Sequence, residues 1–220
     1  MQRRWIILPK VVVWILCLSP VSWLAWKATH DLLGANPLRE ITLSTGHWTL
    51  YLLLITLAIS PLRKITRLNW LIRFRRLVGL FAFFYGCLHL MTYLWFDKFF
   101  DVHEIVKDIY KRAFITAGMT AWLLMFPLAL TSTASSIRRL GGKRWQVLHR
   151  LIYASAIAGV VHFWWLVKRD LTRPEIIAAI LTGLLGFRII DRLLGTRVSR
   201  PAIVRPERSN EAESEGFSPG

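Results

Sequence analysis

The chain has 220 residues, 54% of them hydrophobic, with 11 Trp and a formal net charge of +16. That apolar content exceeds what a soluble domain carries and fits a polytopic membrane protein, and the length allows one bundle and little else. A soluble protein this basic would suggest nucleic acid. Here the cations fall between apolar stretches, where they read as topology signals and contacts to anionic lipid, so no nucleic-acid partner is expected.

A membrane span needs about 20 predominantly apolar residues, and six stretches qualify in chain order. The first, 11–26, follows Arg3 and Arg4. It is long and Trp-rich and has no small-residue cleavage site, so it reads as a retained signal-anchor behind a cytoplasmic N-terminus over 1–10. The others lie near 47–62, 77–96, 114–131, 147–167 and 176–194. Pro20, Pro61 and Pro127 fall inside spans, where neighbouring helices can re-satisfy the freed carbonyl. No repeat of about 20–50 residues is evident. The expected fold is all-α: a six-helix transmembrane domain over 11–195, then a disordered cytoplasmic tail over 196–220, rich in Ser, Pro, Glu and Gly. Cys17 and Cys87 each sit in an apolar run without a CxxC spacing, and read as small buried hydrophobes.

The loops orient the bundle. The stretch 63–76 carries Arg63, Lys64, Arg67, Arg73, Arg75 and Arg76 with no acid, and 132–145 carries Arg138, Arg139, Lys143 and Arg144 with no acid. Both face the cytoplasm by the positive-inside rule. Between the third and fourth spans, Asp97, Asp101, Glu104 and Asp108 offset Lys98, Lys107, Lys111 and Arg112. Both termini are then cytoplasmic.

Ionisable residues within spans are costly and are functional candidates by default. His89 lies 13 residues beyond Arg76, about 20 Å of helix rise, in the outer half of the membrane. His149 lies within about one turn of the basic edge at Arg144, and His162 is about 20 Å further along. His89 and His162 therefore share a level, with His149 alone near the inner face. A matched pair of neutral imidazoles suits the axial positions of a haem iron. Arg75, 14 residues before His89, returns to the same helix face within about 40°. It could partner a propionate or replace a ligand at an inner haem, alongside Arg144 and Arg150; an ordinary snorkelling arginine is the alternative. On an ideal helix His149 and His162 are about 140° apart, which tilt, a bulge near Gly159, or porphyrins approached from different sides would have to absorb. His30, His47 and His103 read as interface or loop residues; His47 is the nearest rival among them, since it begins a span from the outer side, and its neighbour Trp48 suggests an interfacial anchor. Trp23, Trp26, Trp95, Trp145, Trp164 and Trp165 read as interfacial belt.

Several runs carry a family resemblance. They are Arg75-Arg76-Leu77-Val78-Gly79-Leu80 leading to His89-Leu90-Met91-Thr92-Tyr93; Lys111-Arg112-Ala113-Phe114-Ile115-Thr116-Ala117-Gly118-Met119; Leu128-Ala129-Leu130-Thr131-Ser132-Thr133; and Arg139-Leu140-Gly141-Gly142-Lys143-Arg144-Trp145-Gln146-Val147-Leu148-His149-Arg150-Leu151-Ile152-Tyr153. With Asn36-Pro37, Glu40, Thr45-Gly46 and Pro61-Leu62-Arg63, they resemble the MsrQ (YedZ) family over about residues 10–195, in order and at family spacing. This is the haem-binding membrane subunit of the bacterial periplasmic protein-methionine-sulfoxide reductase.

The resemblance implies a ferric-reductase-like transmembrane domain in the inner membrane, binding b-type haem (one or two) and FMN. Related oxidases carry two His on each of two helices, and this chain has Arg75 where the first of the four would stand. No flavin motif is visible, so FMN rests on the resemblance alone. The implied partners are a periplasmic molybdopterin catalytic subunit and an electron donor, either the quinol pool or a cytosolic flavin reductase. The chain itself would be a non-catalytic electron-transfer subunit serving repair of oxidised periplasmic proteins. A cytochrome b561-like quinol oxidoreductase or a ferric reductase is the redox alternative. A proton-coupled transporter using the histidines as a relay is the alternative of another class, and a purely structural anchor a third.

Overall fold

A computed structural model describes the backbone over residues 4–198 and the side chains over 8–194. The described residues form nine α-helices and no strand: α1 (Arg4–Thr29), α2 (Pro37–Thr66), α3 (Ile72–Met91), α4 (Val102–Lys111), α5 (Ala113–Leu130), α6 (Ala134–Leu140), α7 (Gly142–Leu148), α8 (Leu151–Leu166) and α9 (Thr172–Val198). Local chemistry sets several starts. Asn36 accepts the Arg39 N–H at 3.0 Å ahead of Pro37, whose fixed φ suits the first helical position. Asp101 caps α4 by accepting from His103 and Glu104, and Thr133 caps α6 by accepting from Ser136.

Among the described residues, five stretches are long and apolar enough to cross a membrane: Leu8–Thr29, Pro37–Thr66, Asn69–Asp97, Ala113–Leu130 and Gly142–Leu166. Only 11% of the most apolar window of the first, and 39% of the second, is buried against protein. Side chains such as Ile15, Leu16, Trp23, Ile55 and Leu123 point outward, a continuous apolar exterior that lipid covers and water does not. The chain is a multi-pass membrane protein. At 176–194, α9 carries no charge until Arg188, Asp191 and Arg192. These charges are held against the bundle. Arg188 donates to the Tyr153 hydroxyl and, at 2.6 Å, to the Leu57 carbonyl, while Asp191 pairs with Lys64.

Two helix pairs make the centre, α2 with α3 and α5 with α8. Leu53, Leu57, Ala82 and Tyr85 fill the first pair, and Ser155 and Ala156 the second; the Ser155 hydroxyl donates to the Ala121 carbonyl at 2.9 Å. Helix α1 packs at the rim. Pro20 has no N–H for the Leu16 carbonyl, and the Ser19 hydroxyl supplies a donor at 3.0 Å. One residue on, the Tyr85 hydroxyl is wedged into the α1 ladder: it accepts the Val21 N–H at 3.0 Å and donates to the Cys17 carbonyl at 2.8 Å.

One end of the bundle carries the basic segments 63–76 and 132–150. At the other end Asp108 of α4, only 5% exposed, holds Lys98 at 2.7 Å, Arg112 at 3.5 Å and the Tyr93 hydroxyl at 3.3 Å. The Lys98 ammonium bonded to it holds the Asp108 carboxyl below the usual range, against the raising effect of its burial.

Two departures from the sequence expectation bear on the site. The stretch 132–145 is not open loop, because α6 and most of α7 occupy it. The fifth span is not one helix either. It breaks at His149 and Arg150, between α7 and α8, whereas Gly159 lies in unbroken α8. His149 and His162 therefore do not share one unbroken helix, and the ideal-helix angle between them does not apply.

Candidate functional site

Among the cavities formed by the described residues, two lie between the central helices, one toward each end. The His-pair cavity, of about 270 Å³, lies toward the α4 end, between α2, α3, α5 and α8, and is lined by His89, His162 and His47 among mainly apolar neighbours. The Nδ1–H of His89 donates to the Thr42 carbonyl at 2.9 Å, and the Nδ1–H of His162 to the Phe114 carbonyl at 2.6 Å. Carbonyls only accept, so each ring keeps its proton on Nδ1 and its lone pair on Nε2. Such an outer hydrogen bond fixes the tautomer and orientation of metal-ligating imidazoles.

The two rings are 6.0 Å apart, centroid to centroid, at 75°. Metal–imidazole bonds of about 2.0–2.1 Å on opposite sides of one ion place ring centroids roughly 6 Å apart, so the pair fits a single shared metal. No group of three or more His, Cys, Asp or Glu that could hold a bare ion occurs among the described residues. A porphyrin, which brings four nitrogens of its own, suits a two-histidine donor set.

The second, arginine cavity, of about 440 Å³, lies at the basic end. Arg75, Arg76, Arg150 and Arg192 line it with His149, Trp145 and Tyr153, and no carboxylate is among its lining residues. His149 sits on the helix break. Its Nε2 is 3.1 Å from the Thr131 hydroxyl, and its ring stacks on Trp145 at 3.9 Å and 27°. The Trp145 indole N–H in turn donates to the Thr131 carbonyl at 2.9 Å. Where the other cavity has a second imidazole, this one has guanidiniums, suited to an anionic ligand. Met125 lines both cavities, and Phe83 of the arginine cavity stacks on Trp122 of the other at 5.9 Å.

The structure thus brings His89 and His162 together, and separately His149 and Arg75. It also adds roles that the sequence reading did not give. His47 lies within α2 and lines the His-pair cavity, edge-on to Phe163 at 5.3 Å. Trp145 backs His149. Arg144 does not line the arginine cavity, whereas Arg76 and Arg192, which the sequence reading passed over, do. His30 and His103 are exposed.

This all-α membrane architecture is that of a ferric-reductase-like membrane component, and the family described as "Ferric reductase like transmembrane component" matches residues 45–160. The chain is 53% identical over 182 residues to the protein-methionine-sulfoxide reductase heme-binding subunit MsrQ of Herminiimonas arsenicoxydans, covering 82% of this chain and 84% of that one. It is 53% identical over 200 residues to that of Azospira oryzae (88% and 86%), and 50% identical over 182 residues to that of Ralstonia nicotianae (82% and 84%). The chain belongs to the MsrQ family. No solved structure matches it.

Proposed function

We propose that this chain is the b-type cytochrome subunit of a protein-methionine-sulfoxide reductase, carrying electrons across the bacterial inner membrane to a periplasmic molybdopterin catalytic subunit. The observation that carries the reading is the His89–His162 pair, with each Nδ1 bonded to a carbonyl and the ring centroids 6.0 Å apart. Haem b, bound through Nε2 of both, would supply one-electron chemistry. The residues of the chain supply axial ligation, an apolar wall that excludes water, and hydrogen bonds that tune ligand basicity. In the arginine cavity, His149 offers one ligand, and Arg75 and Arg150 offer bidentate donors to carboxylates or phosphate. A second haem by its propionates, or FMN by its phosphate, suits that donor set. Basic segments at this end support a cytoplasmic placement with both termini inside. Electrons from quinol or a cytosolic flavin reductase would then enter there and leave at the α4 end.

The test is a dithionite-reduced minus oxidised spectrum of purified protein with pyridine-haemochrome quantitation. A low-spin b-type signal that disappears in His89→Ala and His162→Ala is expected. Unchanged haem content in both variants would sink the ligand assignment, and a haem-free wild type would sink the cytochrome.

A further inference from the structure

The two imidazoles are seated by one construction used twice. In the first helix pair, His89 on α3 donates to Thr42 on α2, and Gly46, one turn along α2, lies against the ring. A Cβ on Gly46 would stand 3.0 Å from Cε1 and 3.1 Å from Nδ1 of His89. In the second pair, His162 on α8 donates to Phe114 on α5, and Gly118, again one turn along, lies against that ring. A Cβ there would stand 2.7 Å from Nδ1 and 2.9 Å from Cε1. The two hydrogen bonds close stretches of 47 and 48 residues. Carbonyl, glycine and imidazole therefore recur in the same order and nearly the same spacing.

Each ring is tied to a carbonyl through Nδ1 while its residue lines the cavity, so moving the ring away from an added Cβ would strain or break that hydrogen bond. Gly159 of the same cavity differs: a Cβ there would meet only Leu50 Cδ2, at 3.1 Å, the movable end of an aliphatic chain.

We propose that Gly46 and Gly118 are positioning residues for the axial ligands. By lacking a Cβ, each lets its imidazole lie back against the neighbouring helix, and so sets how far Nε2 reaches toward the shared metal. The proposal rests on reading His89 and His162 as haem ligands.

The experiment uses the full chain carrying Gly46→Ala, Gly118→Ala or, as a control on α9 where a Cβ would meet nothing within 4 Å, Gly183→Ala. Readouts are haem affinity, the ferric spin state by optical and paramagnetic resonance spectra, and the response to added imidazole. In Gly118→Ala the haem affinity should fall about 10–100-fold, as for loss of outer-shell support. A high-spin fraction should appear, and free imidazole should restore the low-spin spectrum by filling the vacated position. Gly46→Ala should change in the same direction by less and remains informative should Gly118→Ala not fold. Gly183→Ala should keep the wild-type spin state. Wild-type affinity and spectra in both histidine-facing variants overturn the proposal alone, as does an equal high-spin fraction in Gly183→Ala. A wild-type chain without haem overturns the reading beneath it.

Discussion

The two cavities lie toward opposite ends of the same helices and are furnished in opposite ways. One presents two imidazoles, each locked by a carbonyl. The other is lined by one imidazole, braced by Trp145 and Thr131, and by arginines that include Arg75 and Arg150. On the proposed reading the first arrangement would hold its group by coordination through two imidazoles. The second would hold by charge, with a single imidazole and a cationic wall suited to an anionic group. Electrostatic retention weakens with salt where it is solvent-accessible, and coordination does not.

The largest effect should separate the two sites outright. His162→Ala should eliminate the low-spin signal of the His-pair cavity while leaving the arginine cavity's occupant, and His149→Ala should do the reverse. A redox titration resolving two components checks this, and loss of both components in either variant would break the distinction. Next, Arg75→Gln should weaken the arginine cavity's occupant by about 10–100-fold, the scale of one charge-assisted hydrogen bond at about 1.5–3 kcal/mol, with the His-pair spectrum unmoved. Spectral titration over a salt series measures it, and affinity independent of both Arg75 and salt would show that charge does not hold this group. A smaller change is expected for Trp145→Leu, which removes the ring stacked on His149, worth about 0.5–1.5 kcal/mol. The shift should be confined to the arginine cavity.

The smallest effect concerns the clamp over the His-pair end. The folded Asp108 carboxyl titrates below its ordinary range, so its contribution is present above that range. It is lost as pH falls through the depressed value, below about 4. Hydrogen exchange over residues 98–112 should accelerate in that window, and Asp108→Asn should remove the step. An unchanged acid step in Asp108→Asn would assign it to another carboxylate.

Much of this was legible in the sequence, for identifiable reasons. Basic edges at Arg76 and Arg144 gave depth, a fixed rise per residue put His89 level with His162, and helical phase put Arg75 beneath His89. The Arg75 inference needs only the unbroken run of α3, whereas the depth of His162 is counted across the break at His149 and Arg150. What was missed needed knowledge of neighbours. His47 looked interfacial because Trp48 follows it, yet it lies within α2 and lines the His-pair cavity. The break at His149 carries no Gly or Pro, so nothing in the apolar pattern announced it. The twin seats were invisible because their offset is far longer than the periods of about 20–50 residues at which repeats declare themselves. Each also involves a backbone carbonyl that any residue could supply.

The Tyr85 hydroxyl wedged into α1 has a consequence for how the protein is made. Helix α1 precedes Tyr85 in the chain and enters the bilayer before it. In hydrocarbon its backbone groups must find partners within the helix itself, so Cys17 and Val21 begin bonded to one another. Only when α3 arrives can that bond be exchanged for the pair made through the hydroxyl. Helix α1 thus takes its final backbone bonding only once α3 stands beside it.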